Sequence, residues 1–128
     1  MADDRFDKGM AVRKSVLGAE HVARAEANKT EFDADFQRII TEGVWGSIWT
    51  RPGLEKKTRH LLTIAILAAL GKHDELAMHI RATRNTGLSS DEVKEALLQV
   101  LGYAGAPAAN SAFAIAKRVY KEMESENK

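Results

Sequence analysis

At 128 residues the chain is long enough for one domain with its own apolar core. Its 19 basic and 18 acidic side chains leave a formal charge of +1, without the basic excess of a nucleic-acid binder, so no nucleic-acid partner is expected. It contains no cysteine, which excludes disulfides, thiolate metal sites and thiol catalysis.

The amino-terminal MADDRFDKG is charged and lacks the apolar core of a signal peptide. The longest apolar run, Leu61 to Leu70, is broken only by Thr63 and falls short of a membrane span. A cytoplasmic protein with no membrane partner is expected. The apolar pattern is helical throughout, and a single-domain all-α bundle over residues 1–128 is predicted. Phe6, Met10 and Leu17 suggest a first helix ended by Gly18, and a short helical piece reaches Ala25. Thr30 is placed to cap a helix with Phe32, Phe36, Ile39 and Ile40 on its apolar face.

The segment from Gly43 to Gly53 holds three glycines, a proline and both tryptophans, and is predicted as an ordered loop. Its Trp45 and Trp49 either staple the loop onto the core or wall a pocket. Glu55 to Leu70 reads as a helix that is polar at its start and apolar all round after Leu61, as a helix central to a core would be. A polar helix, Asp74 to Thr86, follows between Gly71 and Gly87 and pairs antiparallel with it.

Ser89 and Glu92 form a capping box ahead of the stripe Val93, Ala96, Leu97, Val100 and Leu101. Gly102 to Gly105 interrupts. Pro107 then starts a last helix with Ala109, Ala112, Phe113, Ala116, Tyr120 and Met123 inward, and the tail from Glu124 is read as frayed. The many alanines bury little area each, so partner subunits are expected to complete the core.

The candidate chemistry lies between Gly71 and Gly87. Glu75 and His79 are four apart, so on a helix they share a face at about 6 Å between Cβ atoms. Lys72 lies seven before His79 on nearly the same face. A carboxylate, an imidazole and an ammonium in one stripe can move protons near neutral pH. A solvated helix face with one ordinary ion pair has the same spacing. His60, His79 and Glu75 could hold a metal only if their two helices face each other, and ligand type is a weak signal, so no metal is predicted. His21 and His73 lack a partner at ligand spacing and are read as surface residues.

Four stretches covering nearly the whole chain carry a resemblance: FDKGMAVRKSVLG, WGSIWTRPGL, ELAMHIRA with NTGLSSDEVKEALLQ, and YAGAPAANSAFAIA. The chain resembles the gamma-carboxymuconolactone decarboxylases. The ELxxHxRA and NxGL segments are shared with a wider superfamily that includes alkyl hydroperoxidase D-like proteins, whereas WGxIWxRPGL together with YxGxPAANxAF is more specific. The peroxidase branch of that superfamily uses two cysteines, whose positions fall here on Lys72 and Glu75, so thiol redox chemistry cannot run. His60 stands where a small polar residue is expected in the decarboxylases. It is either a harmless neighbour of the site or an added titratable group.

The resemblance implies an alkyl hydroperoxidase D-like bundle and a homo-oligomer, a hexamer of trimers or dimers. The implied substrate is a small unsaturated lactone dicarboxylate from the protocatechuate branch of aromatic breakdown, the beta-ketoadipate pathway. Because the lactone is its own electron sink, no cofactor is expected. His79 is then the donor to a developing oxyanion or of a proton, with Glu75 setting its tautomer. Arg51 and Arg59 are assigned to the carboxylates, since guanidinium binds carboxylate as a bidentate fork, although surface salt bridging explains either arginine equally well. Trp45 and Trp49 would keep water out. Arg81 points away from His79 on a helix and is left out. The competing readings are a non-catalytic binding or scaffold protein of the same superfamily and a decarboxylase of a related lactone or keto acid.

Overall fold

The computed structural model describes residues 4–126. Regular structure among the described residues is helical throughout, and the chain forms two compact units, Met1–Lys56 and Lys57–Lys128.

In the first unit, α1 (Arg5–Leu17) and α2 (Ala19–Asn28) meet at Gly18, whose φ of 94° suits glycine and whose N–H reaches the Lys14 carbonyl at 2.8 Å. α2 runs three residues beyond the predicted Ala25. Thr30 does not cap α3 (Ala34–Ile40). It closes a turn instead, in which its N–H donates to the Asp33 carboxylate at 2.8 Å and its hydroxyl accepts from Phe32 N–H at 3.3 Å. The predicted apolar face of α3 is turned outward: Phe32 is 99% exposed, and Phe36 and Ile39 are exposed as well.

The expected loop from Gly43 is helical at its start. α3 continues into a π-helical turn, Thr41–Trp45, closed by the bond from Gly46 N–H to the Thr41 carbonyl at 2.7 Å. The reason lies in α1. A Cβ on Gly46 would come within 2.8 Å of the Glu42 carbonyl oxygen and closer still to that of Arg5, and one on Gly9 would overlap Thr41 and Gly46. Two glycines therefore let two backbones touch, and the chain after Trp45 folds over that contact. Arg13, buried on α1, reaches Glu26 at 3.2 Å and Gln37 at 3.4 Å, which ties α1 to α2 and α3.

The second unit holds α4 (Lys56–Leu70, but for its first residue), α5 (His73–Arg81), α6 (Thr83–Thr86), α7 (Ser90–Ala104) and α8 (Ala106–Glu126). Gly71 and Gly87 take positive φ, 70° and 83°, and end their helices as predicted. The polar helix is not continuous, because it breaks at Ala82 into α5 and α6. The capping box of Ser89 and Glu92 is present. Gly102 lies inside α7, and the break comes only at Gly105, φ 98°.

The core joins Ile64 and Ala68 of α4, Leu76 and Ile80 of α5, Val93, Leu97 and Val100 of α7, and Ala112, Ala116 and Val119 of α8. The closest backbone packing is that of α5 and α7 on α8, where alanines admit it. α4 is less central than its all-round apolar pattern suggests, since Leu62, Ile66 and Leu70 face solvent in this chain. The carboxy-terminal tail is not frayed as far as Glu126, because Arg81 pairs with Glu122 and Glu126, and Arg84 with Glu126. The last two positions of the predicted frayed segment, 127 and 128, lie outside the described residues.

Gly46→Ala should cost ~1–3 kcal/mol or more, because backbone must move. Gly43→Ala, whose Cβ would meet nothing within 4 Å, should be neutral or slightly stabilising. Paired thermal melts compare the two; equal melting temperatures would contradict the close α1 contact.

Candidate active site

His79 enters the core by period alone. On α5 it shares the inward stripe with Leu76 and Ile80, and only 7% of it is exposed. On α4, His60 stands four and eight residues before Ile64 and Ala68, so it heads the buried stripe of that helix and is fully buried. The two imidazoles meet edge to face, with centroids 5.3 Å apart and planes at 61°. His60 Nδ1 lies 2.6 Å from the hydroxyl oxygen of Thr86, at the end of α6.

Burial pushes the pKa of His60 down to about 4, and a polar contact with the main chain of His79 only partly opposes this. His60 is therefore a neutral imidazole at pH 7. On the same helical stretch, the buried Thr83 hydroxyl donates to the Ile80 carbonyl at 2.7 Å; burial raises the pKa of the Tyr120 phenol, and the interaction with Thr83 partly opposes this. The result is a small cluster of buried imidazoles and hydroxyls beside an apolar core, where a proton or a hydrogen bond can be handed over with little contact with water.

The predicted stripe divides here. His79 is buried, but Glu75 and Lys72, at the start of α5, are exposed. Among the described residues Glu75 makes no hydrogen bond or ion pair, so the neighbour that meets the His79 ring is His60 and not Glu75. Arg59 is half-buried beside His60 in sequence. Arg81 pairs with Glu122 and Glu126 of α8. No group of three His, Asp or Glu side chains converges as a metal site would among the described residues.

In the first unit, Trp45 is buried and stacks on the half-buried Trp49 at 4.9 Å, so at least one of them staples its segment onto that unit. Arg51 is exposed, with its N–H bonded to the Ile48 carbonyl at 3.1 Å. Thr86 was the residue hidden from sequence reading. It occupies the variable position of the NxGL segment, and only the fold brings it to His60.

The sequence pattern of the carboxymuconolactone decarboxylase family matches residues 34–118. The chain belongs to that family. It is similar to the 4-carboxymuconolactone decarboxylase of Acinetobacter baylyi, with 47% identity over 121 residues that cover 94% of this chain and 90% of that protein. It is also similar to the nitrosuccinic acid decarboxylase npaB of Metarhizium robertsii, at 39% identity over 118 residues, 92% of this chain and 82% of that protein. Within the carboxymuconolactone decarboxylase family, then, both of these relatives carry the name of a decarboxylase.

The depressed pKa of His60 makes stability depend on pH. The unfolded imidazole binds a proton below about 6.5, the folded one only near 4, so between these values the unfolded state holds more protons. Stability should fall as pH drops through that window, by up to about 1.4 kcal/mol per pH unit. His21, held low by burial and then by Arg24 and Arg13, adds the same sign. Urea unfolding at pH 7 and pH 5 should show the loss, and H60Q should flatten it; an unchanged slope in H60Q would contradict a buried neutral His60.

Proposed function

We infer that this chain is a carboxy-lyase that converts gamma-carboxymuconolactone into 3-oxoadipate enol-lactone and CO2 without a cofactor, in the cytoplasm, within the protocatechuate branch of the beta-ketoadipate pathway. The observation that carries this reading is the 47% identity over 94% of the chain to a protein named for that decarboxylation. One functional domain over residues 1–128 is part of the reading, supported by a family match that runs on across residues 56 and 57. No helix among the described residues is long and apolar enough to cross a membrane.

The chemistry follows from the substrate. The departing carboxylate sits on a ring carbon joined through the ring double bond to the lactone carbonyl. As the carbon–carbon bond to CO2 breaks, its electron pair runs through that double bond onto the carbonyl oxygen and leaves an aromatic furan oxyanion. A proton added to the carbon next to the carbonyl gives the enol-lactone. The protein has to neutralise and hold the carboxylates, stabilise the oxyanion and supply the proton. The buried imidazole of His79 is assigned the oxyanion or proton role. Arg59 and Arg51 are assigned to the carboxylates, and Trp45 and Trp49 to excluding water. Glu75, exposed at the mouth of α5, is left to tune the charge of His79 through space, a weaker role than orienting it.

Nitrosuccinic acid fits the same pattern, because it too has two carboxyl groups, and loss of the one beside the nitro group sends an electron pair onto a nitro oxygen. The 39% identity to the fungal protein therefore favours, as the second reading, a related dicarboxylic acid with its own electron sink. The exposed Leu62, Ile66 and Leu70 of α4 and Leu98, Leu101 and Tyr103 of α7 support the homo-oligomer, a hexamer in this reading.

The purified protein should release CO2 from carboxymuconolactone at a rate unchanged by prolonged dialysis against a chelator, and faster than from nitrosuccinate supplied alongside. Turnover of nitrosuccinate alone would move the assignment to the second reading, and turnover of neither would end both. His79→Ala should lose ~10²–10³-fold in kcat. His79→Gln should be partly active if the ring serves as a hydrogen-bond donor, and as poor as alanine if it delivers the proton. Arg51→Ala should raise KM more than it lowers kcat. A folded His79→Ala within threefold of the parent rate would remove His79 from the mechanism.

A further inference from the structure

The most buried titratable group of the second unit is one to which the proposed decarboxylation assigns no role. His60 is fully buried, 2.6 Å from the Thr86 hydroxyl and ring to ring with His79. A buried histidine with a defined hydroxyl partner on one nitrogen has its other nitrogen fixed in direction, because the ring is planar and one neutral tautomer carries one donor and one acceptor. Given the reading that His79 serves the reaction, we propose that His60 is a positioning residue for His79: Thr86 donates its hydroxyl to His60 Nδ1, which fixes His60 as the Nε2–H tautomer and sets that N–H and the ring edge against the His79 segment.

Three features favour this over mere space-filling. A leucine would fill the volume without leaving a buried polar group to satisfy. The 61° edge-to-face arrangement restricts the tilt of the His79 ring, on a short helix that ends two residues later. Thr86 sits at the last position of α6, directly before Gly87, so the turn that closes α6 also places the hydroxyl at His60. His60 stays uncharged at working pH, so it can hold His79 without repelling a proton there.

The test compares H60L, H60Q and T86V in the full chain, each checked for helix content by circular dichroism, with ¹⁵N-histidine spectra and lactone kinetics. In the parent, His60 should give the neutral Nε2–H pattern from pH 5.5 to 8, and T86V should lose that single pattern. The His79 signals should stay sharp in H60Q, whose side-chain amide can accept from Thr86 and donate onward, and broaden or shift in H60L. H60L should lower kcat ~10–100-fold with KM within about threefold, and H60Q should recover much of that loss. The proposal is overturned by an Nδ1–H or charged His60, by H60L kinetics within threefold of the parent, or by H60L and H60Q being equally poor. If the parent turns over no lactone, the proposed function fails, and the His79 spectra alone decide this inference: unchanged in H60L, they overturn it; broadened there and sharp in H60Q, they uphold it.

Discussion

An α-helix turns 100° per residue, so residues three or four apart share a face whatever their chemistry, and where that face is packed they are buried together. That constraint governs the second unit. Leu76 and Ile80 must be buried to hold α5 against α8, and His79 stands between them in the same stripe. On α4, Ile64 and Ala68 take His60 inward in the same way. The apolar packing that stabilises the unit thereby buries two imidazoles together, and the hydroxyl of Thr86 meets the polar requirement of His60 that follows.

Burial also gives the site its electrical character. Desolvation disfavours the charged form of an imidazole, and at His60 it outweighs the opposing contact with the main chain of His79. Three carboxylates of this unit are engaged elsewhere: Glu122 and Glu126 hold Arg81, and Glu92 caps α7. In the decarboxylation proposed for this chain, neutral CO2 departs and the electron pair stays behind as an oxyanion, which donors held out of water stabilise without first having to be desolvated.

The first unit obeys a different constraint, that of backbone contact. Gly9 and Gly46 allow α1 to lie directly on the π-helical turn, and Trp45 and Trp49 stack on each other within and just after that turn. Read along the chain, the glycines of that segment signalled a loop. In space, Gly46 is small because another backbone occupies the place of its side chain. Composition reports that a position is small or flexible, but not which of the two is needed.

The sequence by itself determined the helical class, the helix ends at Gly18, Gly71 and Gly87, and the capping box at Ser89, because periodicity, positive φ and capping are local properties of neighbouring residues. It could not show that Glu75 and His79 lie in different surroundings, for an equally local reason. Residues four apart share a helix face, but the first turn of α5 stands clear of the core while its last turn is inside, so one face passes from solvent to interior along its length. Only the tertiary structure decided that α4 exposes half of an apolar surface, that Arg81 ties α5 to α8, and that His60 and Thr86, 26 residues apart, meet beside His79. Those outcomes depend on which helices pack together, and no pattern within a single helix encodes its neighbour.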